Sequence, residues 1–215
     1  MATVSWGGAV SGNWATGSDW GGGSVPQAGD SVYIDVTGSP YTVTITAQIA
    51  AINSLTIGDP SATLDLIDPG VTQSITGSLS NSGIVEIDNT GAGGSVMSLG
   101  GNLINSGTLD IGNSGITASS TLVAAGLSNT GVINLAGGSS AAAVLDVTTA
   151  APTTWTGTAD LTGHALLEFA GGEINTIAST GSLVVGNAAA FVADAGSLTS
   201  DSALTGLSDV AGDFE

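Results

Sequence analysis

The sequence predicts an all-β fold, a parallel β-helix (β-solenoid) of about nine coils of roughly 18–24 residues with a Trp-rich N-terminal cap. Three observations carry the prediction. The phrase LSNSGIVEID (79–88) returns as LINSGTLDIG (103–112) and as LSNTGVINLA (127–136), offset by 24 residues each time. Inside each phrase the apolar residues alternate, as a half-buried strand requires. The composition favours Gly, Ser, Thr and Val over the charged helix formers, which disfavours a helical repeat of the same period.

Residues 1–35 form the predicted capping segment. Trp6, Trp14 and Trp20 lie in a Gly-rich stretch that ends with Pro26, Gly29 and Asp30. A solenoid's first coil exposes a sheet edge and an open core, and bulky aromatics can blunt both. The competing reading makes these indoles a stacking platform for a glycan.

Residues 36–147 form the regular coils. Core pairs are expected at Val43 and Ile45, Leu64 and Leu66, Val85 and Ile87, Leu109 and Ile111, and Ile133 and Leu135. Their spacings are 21, 21, 24 and 24 residues. A second ladder recurs midway through each coil, in VMSL (96–99), TLVA (121–124) and VLDV (144–147). Before each core pair stand Asn81 and Gly83, Asn105 and Gly107, or Asn129 and Gly131. Glycine there is expected to supply positive φ, and the stacked Asn amides to bond one another in a ladder. The period is lost over 148–165, which contains Pro152, Trp155 and His164. This stretch is either a projecting loop or a coil of different length. Residues 166–215 resume further coils, and no C-terminal cap is apparent.

Composition excludes several functions. The 215 residues contain 18 acidic side chains, one histidine, and no lysine, arginine or cysteine, for a net charge of −18. Phosphates and guanine edges would find no cationic donor, which excludes nucleic acid and anionic membranes as partners. Disulfides and cysteine nucleophiles cannot form. The opening MATVSWGGAV lacks the basic and apolar regions of a secretory leader.

Catalytic arrangements are scarce. A Ser–His–Asp triad would depend on His164, which has no GxSxG motif near it. Glu86 and Asp110 occupy equivalent outward positions on neighbouring coils, about 5 Å apart, close to the spacing of a retaining glycosidase pair. Solvated residues on an outer face give the same pattern, and no enzyme activity is expected. No cofactor is expected either. Calcium is the one ion the residue types suit, through oxygen ligands at Asp59, Asp65 and Asp68.

The motif GNW (12–14), Trp20, Pro26, Gly29-Asp30, Val32, Ile34 and YTVTI (41–45) resembles the opening of large repeat-rich bacterial surface proteins, autotransporter and adhesin-like. FAGGEINTIASTGSLVVGNAAAFVADAGSLTSDSALTGL (169–207) is similar to a block that recurs within them. The resemblance implies a β-helical passenger displayed outside the cell, with adhesive or biofilm-matrix roles and no catalytic residues. Expected partners are copies of the chain stacked end to end into a filament, or adjoining segments of a longer passenger. Surface glycans are the alternative.

Overall fold

In the computed structural model, which describes all 215 residues, the chain winds through three parallel sheets. Face I contains Thr3–Ser5, Ser31–Ile34, Ser54–Ile57, Leu79–Asn81, Asn102–Asn105 and Gly126–Asn129. Face II is a nine-stranded sheet running from Gly12–Asn13 to Asp213–Phe214. Face III stacks Thr72–Ile75, Val96–Leu99, Ser120–Ala124, Ala143–Ala150, Ala165–Gly171 and Ala190–Asp194. Every strand pairing in these sheets is parallel, between successive coils. Nine strands on face II span eight steps from coil to coil, so the rod has about eight turns rather than nine. At the spacing of neighbouring strands, the rod is about 40 Å long.

Alternation sets which side chains point inward. On face II the register runs Val43, Leu64, Val85, Leu109, Ile133, Ala159, Leu183 without a slip. Val85, Ile87, Leu109, Ile111, Ile133 and Leu135 are all fully buried. Met97, Leu122, Leu145, Leu167 and Val192 form the matching column of face III. One apolar core therefore extends along the rod, and each rung covers its neighbours.

Residues 148–165 stay in the stack. Thr154–Trp155 and Thr158–Thr162 are strands, and Ala159 and Leu161 continue the core ladder with a step of 26 residues from Ile133. Two features hide the period. The Ala143–Ala150 strand shifts register after Val147, and Trp155 fills the interior where earlier coils place Asn. Face I is split there, and Thr154–Trp155 starts a separate three-stranded sheet.

The N-terminal residues combine capping with regular structure. Thr3–Ser5 and Ser31–Ile34 are already paired rungs, while Trp6 and Trp20 bridge antiparallel across the chain's turn-back. Towards the other end, the expectation that no segment covers the last coil is corrected on face III. There the amides of Val192 and Asp194 donate to Asp201 Oδ1 and Ser202 Oγ, at 2.9 and 2.7 Å. A 3₁₀ turn, Ser202–Leu204, follows Asp201 and buries Ala203.

Candidate functional site

The repeated turns place polar side chains inside the rod. Asn81 Nδ2 donates to Asn105 Oδ1 at 2.8 Å, and Asn105 Nδ2 donates to Asn129 Oδ1 at 2.9 Å. The second amide hydrogens reach the carbonyls of Thr108 and Val132. Asn81 and Asn105 are buried, with their hydrogen-bonding capacity spent on the scaffold. Gly83, Gly107 and Gly131 have a different role from the one their sequence suggested. None has positive φ. A Cβ on Gly107 would collide with the Gly83 carbonyl, and one on Gly131 with the Gly107 carbonyl. Close approach of stacked turns is what requires glycine.

A second buried polar group was not legible in the sequence. Asp88 adopts positive φ (55°) at the corner after the Ile84–Ile87 strand. Its carboxylate accepts bonds from Ser95 N (2.8 Å), Ser95 Oγ (2.8 Å) and Ser120 Oγ (2.7 Å). Ser95 Oγ in turn accepts from Asp68 N, and the Asp68 carboxylate accepts from Gln73 Nε2. Gln73 Oε1 accepts from Ile49 N at 2.9 Å. A polar thread thus links successive coils through the interior. Its one sequence signal was an Asp followed by a Gly-rich turn and Ser95.

The three tryptophans form a plug. Trp20 packs edge-on against Trp6 (centroids 4.9 Å apart) and Trp14 (4.8 Å). Their exposures are only 3, 3 and 2% for Trp6, Trp14 and Trp20. Trp20 Nε1 donates to the Trp14 carbonyl at 2.8 Å, and Trp6 Nε1 to the Val10 carbonyl at 3.0 Å. Asp30 accepts from the Ala2 and Gln27 amides nearby, and these bonds hold its carboxyl below the usual range. No indole face is free to stack on a sugar. A cleft of about 160 Å³ does border Trp14, lined also by Val25, Pro26, Gln27 and Gln48.

The carboxylates suggested for calcium do not converge. Asp59 is buried and caps the turn at Ser61 N (2.8 Å), Asp68 belongs to the polar thread, and Asp65 points outward on face II. Nowhere do three His, Asp or Glu side chains come together in a way that could hold a metal ion.

Asp65, Glu86, Asp110, Asn134 and Asp160 do share one outward column, in direct register. Asn89 Nδ2 bonds Glu86 (2.7 Å), and Asn134 Nδ2 bonds Asp110 (2.6 Å). Desolvation, reinforced by Glu86 and Asp88, pushes the Asp65 carboxyl up to about 6. Asp65 Oδ1 and Asp160 Oδ1 lie shielded from solvent without a hydrogen-bond partner. Glu86 and Asp110 line none of the four clefts in the molecule. No pocket holds a sugar against the pair. His164 is exposed at a turn and is hydrogen-bonded only through its backbone.

Comparison of the chain with protein-family models, curated proteins and solved structures gave no match.

Proposed function

We propose that the chain is a non-enzymatic β-solenoid rod of a bacterial surface protein, acting outside the cell as a structural and adhesive module. The observation that carries this reading is the unbroken nine-stranded sheet of face II, which builds a stiff rod with no cleft at Glu86 and Asp110 of its carboxylate column. A chain rich in Ser, Thr and Gly, free of Lys, Arg and Cys, with no deep cleft at that column, suits broad contact more than a small-molecule pocket. The resemblance of its opening motif to repeat-rich surface proteins supports the same location. No helix of the structure is long and apolar enough to cross a membrane.

Filaments made by head-to-tail stacking find less support. The Trp6–Trp20 bridge and the plugged core blunt one end, and the Asp201–Ser202 turn covers the last strand of face III. Single rods are expected.

The test is retention under flow. Microspheres carrying the covalently attached chain should be held on host-cell or abiotic surfaces more strongly than albumin-coated spheres. Equal retention on every surface would remove the adhesive half of the proposal. Electron microscopy of the same protein should show rods about 40 Å long, as the strand spacing requires.

A further inference from the structure

We propose that the outer side of face III, over its last three strands, is a docking surface for a basic protein segment in extended conformation that also carries apolar side chains. The inference deepens the adhesive reading above and rests on it, by naming the surface and the chemistry of the partner.

Parallel register places Val144, Leu166 and Phe191 in one outward column. These side chains are half-buried rather than covered. Beside them is a cleft of about 140 Å³, lined by Leu166, Phe191, Ala189, Thr199 and the 43% exposed Leu198, with His164 at its rim. Face III therefore has an apolar furrow where the outward columns of face II hold mainly Thr, Asp and Glu.

The next outward column on the same strands is acidic. Asp146 and Glu168 are register partners, two residues beyond Val144 and Leu166. Desolvation raises both carboxyls, and Asp146 adds to the effect on Glu168. Neither gains support from a hydrogen bond. Bringing a cation to this pair would relieve the repulsion between them. The chain itself has no Lys or Arg to supply one. A second copy, also at −18, cannot supply one either. With the copy repelled overall, a basic molecule of a different kind is the fitting source of that charge.

The spacing selects the form of that molecule. Side chains two residues apart on a strand point the same way and are about 6.6 Å apart. An extended partner lying along the strands repeats the same interval. An apolar residue in the furrow then sets a Lys or Arg, two positions on, over Asp146 and Glu168. The aliphatic stem of that residue can rest on Leu166 while its charge reaches the carboxylates.

The probe is a fluorescein-labelled synthetic peptide of alternating Leu and Lys, titrated with the whole chain at physiological salt and pH 8, above the ordinary titration range of histidine. A peptide of alternating Ser and Lys reports charge alone. The Leu–Lys peptide is expected to bind at least about tenfold more tightly than the Ser–Lys peptide, because only it fills the furrow. The outward substitutions Leu166→Ser with Phe191→Ser, and separately Glu168→Lys, should each weaken binding about tenfold. Glu86→Gln with Asp110→Asn, on face II, should leave it within about twofold. Unchanged melting temperatures would show that the variants keep the fold, and Glu168→Lys tests the surface even where the apolar double variant melts early. Equal binding of the two peptides, or equal loss in the face II variant, would overturn the inference in favour of a general polyanion effect. Absence of Leu–Lys binding would overturn it outright. If microspheres still adhere in that case, only this surface assignment fails; if they do not, the adhesive reading fails with it.

Discussion

A single buried amide illustrates how tightly each rung constrains the next. Asn105 donates to Asn129 and to the Val132 carbonyl, and accepts from Asn81. Asn105→Ala removes one link and strands acceptors in a dry interior. The expected loss is about 2–4 kcal/mol in urea denaturation, from unsatisfied partners and a small cavity. Asn102, on the same strand but pointing outward and exposed, provides the contrast. Asn102→Ala should change stability by no more than about 0.5 kcal/mol. Gly107→Ala should cost about 1–3 kcal/mol despite an ordinary φ, because the Gly83 carbonyl occupies the space a methyl needs. The Asn and Gly columns were legible in the sequence because they repeat. Asp88 was not, since it occurs once and its partners, Ser95 and Ser120, lie beyond the turn and a further coil on.

At the scale of elements, the acidic column of face II and the Trp plug act in different ways. Asp65 has a folded-state pKa of about 6, above its ordinary 3.8. Between those values the folded chain holds more protons than the unfolded one, so stability falls as pH rises. The contribution is fully present below about pH 4 and is lost once pH passes about 6. Asp146 and Glu168, also raised, act in the same direction. Asp30, lowered by its two backbone bonds, acts oppositely and only in more acid solution. The melting temperature should therefore be higher at pH 4.5 than at pH 7.5, and Asp65→Asn should flatten the difference. A melting temperature that rises steadily towards pH 7.5 would contradict the assignment. In the plug, Trp20→Ala should cost about 3–5 kcal/mol, since it removes the ring on which the other two indoles rest. Strand order and core pairs were readable up to Leu135, where the 24-residue beat holds. Beyond it, Ala159 is too small to mark a core position by eye, and the lost period leaves a projecting loop and a coil of different length equally open; the strands form a coil with a longer step. Tryptophan near Asn and Asp suggested sugar contact, but sequence alone does not reveal which way an indole faces.

The whole molecule carries −18 with no lysine or arginine to offset it. In most proteins salt screens attractions and repulsions together. Here the side chains supply only repulsion, apart from the lone histidine. Raising sodium chloride from about 10 to 300 mM, which shortens the screening length several-fold, should raise the melting temperature. A fall would mean that attraction outweighs repulsion among the charges. The same absence of cations was the most informative fact in the composition. It leaves the phosphates of a nucleic acid without a Lys or Arg contact, and it is why the proposed partner is basic.

The Asn81, Asn105 and Asn129 rungs are spaced by 24 residues, and Asn81 and Asn105 make the same bond to the next amide. Along this column one rung can stand in for another, so the column by itself has no means of counting. Single-copy features mark absolute position along the axis: Trp20 near the start, Asp88 with Ser95 and Ser120 in the middle, and Trp155 further on. A gene that duplicates one 24-residue unit between Ser120 and Trp155 should still encode a folded rod, longer by one strand spacing. Length in such a molecule is adjustable by slippage of its own coding repeat, with each contact surface carried bodily along the axis.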